Sequence, residues 1–274
     1  MLVVSPANDE RRQLNCTIRA LLKDHGHVAA EGHDQIIFVN RNLTRAQRTN
    51  ALSYEIGDVV RYRRRSSKLG LEKGAYASVE AIDSKHNRIT VRTDDGRTFR
   101  YNPKRPSGVE VFRCEQRILA VGDRIQFRAP DRALNVANGE LAAVVAINDT
   151  KAILRTDSGR EVSASLQRLR HIDYGYASTS HSSQGATVDR VVVNIDTLRS
   201  IDLVNRKQFY VSISRARDGV TIYTDDRTAL RHAVNRNREK SVALEQARIR
   251  IQPQVKQGTD LQRRTISHQH GIRR

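Results

Sequence analysis

The apolar positions change their period along the chain. Leu2-Val3-Val4-Ser5 reads as a strand closed by Pro6. The next stretch, NDERRQLNCTIRALLKDHG, sets Leu14, Ile18, Leu21 and Leu22 at helical spacing, with Asp9 and Glu10 in the first turn and Gly26 at the end. Strand then helix is an α/β beginning. Asp9 and Glu10 read better as partners of the helix dipole than as a Walker B acid, because they open a helix and run into Arg11-Arg12.

The middle of the chain alternates with period two, and it repeats. IGDVVRY (56–62) matches VGDRIQF (121–127), KGAYASVEAID (73–83) matches NGELAAVVAIN (138–148), and ITVRTDDGR (89–97) matches AILRTDSGR (152–160). Gly-Asp, Asp-Gly and Ser-Gly pairs mark turns between short strands. Two copies are too few for a solenoid, and each has the size of one small, strongly bent β-barrel. The expectation is two barrels in tandem, about 55–113 and 114–171.

From Tyr174 the α/β pattern returns. Val191-Val192-Val193-Asn194-Ile195 reads as a strand buried on both faces, as in a parallel sheet. Val220–Tyr223 reads as a short strand, and DDRTALRHAVNRNREKSVALEQARI as a helix capped by Asp225 or Asp226. Beyond Pro253 the Gln-, Arg- and His-rich tail is expected to be disordered, with His268 and His270 solvated rather than ligating a metal. The resulting division is 1–54 and 172–245 for the two parts of one α/β domain, 55–113 and 114–171 for the inserted barrels, and 246–274 for a basic tail. Insertion into a surface loop costs little when the loop ends are close.

Charge narrows the function. Among 274 residues, 48 Lys and Arg face 30 Asp and Glu, a net +18. A field of that sign favours a polyanion, and nucleic acid is the usual one; the plain alternative is a solvated surface with a basic tail. Cys16 and Cys114 make neither a disulfide framework nor a zinc set, so no metal site is expected. No apolar run reaches membrane-span length and no signal peptide is read, so the expectation is a cytoplasmic protein with no membrane partner.

Arg61, Arg63, Arg64, Arg65 and Lys68 cluster at the first barrel's opening hairpin, and Arg97, Arg100, Lys104 and Arg105 at its end. The first cluster is the candidate track for single-stranded DNA. Tyr62, Tyr101 and Phe127 either stack on bases or belong to a core, since each sits in an alternating strand.

Two further stretches carry chemistry. TSHSSQG (179–185) crowds Thr179, His181, Ser183, Gln184 and Gly185 before a buried strand. Open α/β sheets hold ligands at such places. FYVSISRARDGVTIY (209–223) sets Arg215 at the mouth of the sheet. An arginine there can stabilise the charge that develops in phosphoryl transfer, because its planar fork stays charged and donates in pairs. The alternative is a surface arginine paired with Asp218.

Together these segments resemble a known family. TSHSSQG is similar to motif V of superfamily 1 helicases and YVSISRAR to motif VI. With LVVSPANDERRQLNCTIR and NLTRAQRTNALSYEIGDVVRY, they look like the C-terminal half of the RecD-like helicase region of conjugative relaxases of the TraI/TrwC type (the MobF family), over about residues 1–245. The resemblance implies an incomplete RecA-like motor domain, the second of the pair, interrupted by two tandem barrels that match 2B-type modules. It implies Arg215 as an arginine finger. Gln184, Gly185, Arg215 and Arg217 then fall on the nucleotide side, and Thr179, His181 and Ser183 on single-stranded DNA. Thr187 departs from the pattern, where many relatives carry a Glu near the ribose. No G-x-x-x-x-G-K-[ST] occurs, nor a convincing Walker B acid.

The expected function is therefore the DNA-binding C-terminal portion of an ATP-dependent conjugative helicase, acting in plasmid transfer. ATP and Mg2+ are expected only when a P-loop motor half, with its relaxase, is supplied by another chain. Alone, this chain should hold neither and show no meaningful ATPase. The alternative is a non-catalytic single-stranded DNA-binding remnant of such a helicase. A barrel protein that binds RNA is a third reading, against which the motor-like ends speak.

Overall fold

The computed structural model describes residues 1–65, 70–105, 108–179 and 187–235. The chain opens with β1 (Leu2–Ser5) and α1 (Asn8–Asp24), as the periodicity predicts. β1 lies inside a four-stranded parallel sheet with β13 (Ala177–Thr179), β14 (Val188–Ile195) and β15 (Ala216–Thr224), in the order β13-β1-β14-β15. Val4 pairs with Ser178 on one side and Val193 on the other. Parallel neighbours cannot be joined by a tight turn, so the chain leaves after α1 and returns at residue 177 with everything between as one excursion.

Leu2, Val4, Val191, Val193 and Ile195 form this sheet's core with Val204, Leu230 and Ala233. On β14 the alternate residues Val191, Val193 and Ile195 are buried, while Val192 and Asn194 are half-buried. The strand is thus sealed on one face only, not on both as its unbroken apolar run implies. Besides the short α2 (Arg45–Arg48), the later helices are α3 (Thr197–Ser200), α4 (Arg206–Ile213) and α5 (Arg227–Asn235). Asp226 caps α5, its carboxylate accepting from the backbone N–H groups of Thr228 and Ala229. Asp225 turns away and accepts from the Thr197 amide at 2.6 Å and its hydroxyl at 2.8 Å, which lowers the Asp225 pKa.

The excursion holds two antiparallel sheets. One runs β2-β7-β3-β4-β5-β6, from β2 (His33–Asn40), β3 (Val59–Tyr62), β4 (Tyr76–Asp83), β5 (Arg88–Thr93), β6 (Thr98–Tyr101) and β7 (Val109–Leu119). The other runs β11-β10-β9-β8-β12, from β8 (Arg124–Phe127), β9 (Leu141–Ile147), β10 (Lys151–Thr156), β11 (Glu161–Ser165) and β12 (Ile172–Tyr174). The sequence repeat is therefore a repeated four-stranded meander, β3 to β6 and β8 to β11. The described pairing does not join the ends of either meander into a closed barrel.

The repeat extends to single hydrogen bonds. Gly57 N–H donates to Val79 O, and Gly122 N–H to Val144 O; Gly74 donates to Tyr62 O, and Gly139 to Phe127 O. In each copy a buried aspartate binds its own turn: Asp58 accepts from Glu55 N–H and Asp123 from Ala120 N–H. Each also takes an arginine from outside its repeat, Arg41 for Asp58 and Arg19 for Asp123.

Outside strands complete both sheets. β2 pairs with β7 along its whole length, β7 runs unbroken through the expected 113/114 division, and β12 pairs with β8. Residues from the segments 1–54 and 172–245 thus enter the antiparallel sheets. The reason is that β7, having covered the second edge of β3, leaves an outer edge of unpaired backbone groups that β2 covers, as β12 covers the second edge of β8.

Gly122 and Gly57 share a positive φ of 90° and 89°. A Cβ at Gly57 would meet nothing within 4 Å, whereas at Gly122 it would lie 2.2 Å from the His27 carbonyl oxygen. Gly57→Ala should therefore cost about 1 kcal/mol from backbone strain alone. Gly122→Ala should cost distinctly more, since the turn after α1 must move. Urea unfolding of both variants checks this; equal losses would contradict the packing account.

Candidate functional site

α1 docks through a polar face. Its buried residues are Glu10, Arg11 and Asn15, while Leu21 is 54% exposed. The helical spacing of the leucines was legible, but not the face that packs. Asn15 is the clamp: its side-chain oxygen accepts from the backbone N–H groups of Tyr176 and Ala177, and its amide donates to Ala177 O. These bonds fix the start of β13. Glu10 accepts from the Ser5 hydroxyl at 2.6 Å instead of sitting in solvent at the helix end. Further along, Arg19 forms a two-pronged bond to Asp123 at 2.7 and 2.9 Å, and Asp123 also accepts from the Tyr176 hydroxyl. Asp123 raises the Arg19 pKa.

Of the residues in the motif V stretch, Thr179 ends β13 beside Ser5 of β1. His181, Ser183, Gln184 and Gly185 lie outside the described residues. Arg215 stands just before β15, and its carbonyl accepts from Val188 N–H at the start of β14. Thr179 is level with Asn194 by strand register, six positions from Val188. At about 3.3 Å per residue, Thr179 and Arg215 therefore lie roughly 20 Å apart, at opposite ends of the sheet. Arg215 is half-buried, and its Nε is enclosed without a partner among the described residues. The Asp218 pairing considered for Arg215 has a counterpart two residues on: Arg217 forms an ion pair with Asp189, and both side chains are exposed.

The basic hairpin is largely open. Arg63 and Arg65 are 66% and 73% exposed, Arg63 lies 3.9 Å from Glu110, and Arg65 lies 3.2 Å from Glu72. Arg64 is exposed as well. Exposed pairs of this kind hold their charges loosely, so these arginines are available to a polyanion. Arg61 differs. It is half-buried, 3.7 Å from Glu110 and stacked 5.6 Å from the Tyr76 ring. Lys68 lies outside the described residues.

The aromatic candidates belong to the cores. Tyr62, Tyr101 and Phe127 are buried, and the Tyr62 and Tyr101 hydroxyls share a 2.6 Å hydrogen bond. Burial pushes the Tyr62 pKa up to about 12 and that of Tyr101 higher still. Base stacking on these rings is excluded by their position inside the meanders.

Sequence reading missed a junction between the two antiparallel sheets. His171 packs edge-on against Phe38 and Phe112 and bonds Tyr76 Oη through Nε2 at 2.7 Å. Burial first, then Arg61 and Arg170, lowers its pKa to about 4, so the ring is neutral. Arg11, Arg12 and Arg128 gather beside it. The only early signal was Arg11-Arg12 in the first turn of α1.

Comparisons to known proteins match two parts of this chain. Residues 174–223 match the UvrD-like helicase C-terminal domain, and residues 39–119 match the DNA relaxase TraI 2B/2B-like domain. Two separate parts of the chain are thus similar to domains of DNA helicases and relaxases. The multifunctional conjugation protein TraI of Escherichia coli K12 is 25% identical over 247 residues, covering 88% of this chain and 14% of TraI. A probable conjugal transfer protein TraA of Sinorhizobium fredii is 36% identical over 117 residues, covering 41% of this chain and 10% of TraA. The RecBCD enzyme subunit RecD of Mycolicibacterium smegmatis is 30% identical over 133 residues, covering 48% of this chain and 23% of RecD. A solved Pif1 helicase structure, described as showing DNA unwinding at forked dsDNA, aligns with 90% of this chain and 43% of its own at 14% identity and a TM-score of 0.42. By these matches the chain is similar to the RecD-like superfamily 1 helicase region of the conjugative relaxases. It spans a quarter or less of the length of these curated relatives.

Among the described residues, no helix is long and apolar enough to cross a membrane, and no three His, Cys, Asp or Glu side chains converge as a ligand set. The sequence carries no G-x-x-x-x-G-K-[ST] that would cradle a phosphate opposite Arg215.

Proposed function

We propose that this chain is the single-stranded DNA-binding second motor portion of an ATP-dependent conjugative helicase, with the RecA-like sheet interrupted by 2B-type modules. The carrying observation is that the UvrD-like match falls on β13 to β15 of the parallel sheet while the TraI 2B match falls on the six-stranded sheet, in one continuous chain. In this reading Arg215 and Arg217 face the nucleotide with Gln184 and Gly185, and Thr179, His181 and Ser183 face the strand. Arg61, Arg63, Arg64 and Arg65 add phosphate contacts. The exposure of the last three supports this role, and the enclosed Nε of Arg215 is in keeping with a preset guanidinium. ATP and Mg2+ enter only with a P-loop half supplied from outside these residues. The domain division we propose assigns residues 33–174 to the inserted sheets and the flanking described residues to the motor sheet.

Binding to a labelled oligothymidylate should weaken steeply with salt, log Kobs falling with log[salt] by roughly 0.7 per phosphate contacted. Charge reversal of Arg63, Arg64 and Arg65 together should weaken binding more than removing the chain after Gln252. A flat salt response would sink the reading. A purely non-catalytic DNA-binding role is the second reading, favoured by the missing G-x-x-x-x-G-K-[ST]. It predicts that a P-loop half added in trans produces no ATP hydrolysis sensitive to Arg215→Ala.

A further inference from the structure

The first turn of α1, the end of β2 and the approach to β12 enclose a cavity of about 260 Å3. Arg11, Arg12, Arg61 and Arg128 line it, opposed among the described residues by two carboxylates, Glu110 and Asp173. These acids do not saturate the guanidinium donors. Arg11 is 3% exposed, and its Nη2 donates to Asp173 Oδ2 at 2.8 Å. Its Nε and Nη1 are buried with no partner among the described residues. Arg61 shows the same imbalance: its Nε is buried and unpartnered, and Glu110 divides its charge between Arg61 at 3.7 Å and Arg63 at 3.9 Å.

Arg128 reaches solvent at the cavity's edge, yet desolvation lowers its pKa, and the nearby charge of Arg11 lowers it further. Crowded like charges with spare N–H donors are relieved by an oxyanion, and a guanidinium fork matches two of its oxygens at once. The neighbouring rings do not invite a base. Phe38 and Phe112 are 6% and 5% exposed, spent on packing His171. Arg168, farther along the groove, is already committed to Asp131 by bonds of 2.7 and 3.2 Å. The free donors therefore concentrate in the α1 cavity.

We propose that this cavity binds a phosphate group through Arg11, Arg12, Arg61 and Arg128, either a phosphodiester of the DNA backbone or a phosphate of a free nucleotide. The pocket stands on its own geometry; the DNA source rests on the function proposed above.

The test uses the full chain and two exposed residues, Arg12 and Arg128, whose loss spares the buried Arg11–Asp173 pair. Pyrophosphate and ATP binding are measured by calorimetry, and oligothymidylate binding by fluorescence anisotropy. The double variant Arg12→Gln/Arg128→Gln should lose about tenfold in pyrophosphate affinity, because two charge-assisted donors to the anion are gone. Arg92→Gln, which removes an exposed partner of Glu80, should change it less than about twofold. If the phosphate comes from DNA, oligothymidylate competes with pyrophosphate, and the salt slope of the double variant falls by roughly one per arginine removed. If it comes from a nucleotide, ATP and pyrophosphate binding fall together while oligothymidylate binding stays unchanged. Pyrophosphate, ATP and oligothymidylate affinities that are all absent, or all unchanged in the double variant, overturn the proposal. A flat salt response for oligothymidylate alongside lost pyrophosphate binding would retire the DNA function and keep the pocket.

Discussion

Asp123→Ala is expected to destabilise the protein by about 3–5 kcal/mol, the range for removing one partner of a buried ion pair. Asp123 is 0% exposed and serves three groups at once: the Arg19 guanidinium, the Tyr176 hydroxyl and the Ala120 amide. Its removal strands a largely buried charge on α1 and loosens the chain just before β13. The repeat supplies an internal comparison. Asp58 occupies the same turn in the first meander, but its arginine, Arg41, also binds Glu55 at 2.6 Å. Asp58→Ala leaves that arginine partnered, so its cost should be smaller. Urea unfolding of the two variants decides the matter. Equal losses would mean that the turn hydrogen bond, common to both, dominates over the stranded charge.

Acid is expected to weaken the junction between the antiparallel sheets through His171. Its folded pKa is about 4, against an ordinary value of 6.5. Between those values the unfolded chain takes up a proton that the folded chain refuses. Stability from this group is therefore complete above pH 6.5 and is lost as pH falls toward 4. The full window corresponds to roughly 3 kcal/mol as an upper figure, at 1.36 kcal/mol per pKa unit. Protonation would set a cation beside Arg61 and Arg170 and disturb the bond to Tyr76. NMR titration of the His171 ring should give a midpoint near 4, and His171→Gln should flatten the fall in unfolding free energy between pH 7 and 4.5. A midpoint near 6.5, or an unaltered fall in the variant, would remove His171 as the cause.

Much of the architecture is legible in the sequence. The strand at Leu2–Ser5, the helix from Asn8 and the repeat were legible because each rests on local periodicity or on turn residues that only certain backbones accept. Gly57 and Gly122 marked equivalent turns, and the structure returns equivalent hydrogen bonds there. β2 and β12 were not assigned to the antiparallel sheets, because which strand covers an open edge is a long-range choice that no local window encodes. The stacking role weighed for Tyr62 and Tyr101 failed for a related reason: alternation shows that a side chain faces one side, not whether that side meets solvent or a core.

The sequence by itself determined the charge, the repeat, the order of the motor-like segments and the family resemblance, since all of these live in composition, spacing and residue identity. Tertiary structure alone decided which charges are spent. Arg11 and Asp173 lie 162 residues apart and meet at 2.8 Å, as Arg19 and Asp123 do across 104 residues. It also separated Thr179 from Arg215, close in motif order yet at opposite ends of one sheet. Whether an arginine is bound, buried or free depends on what the fold brings against it, and that contact is set by packing and not by neighbours in the chain.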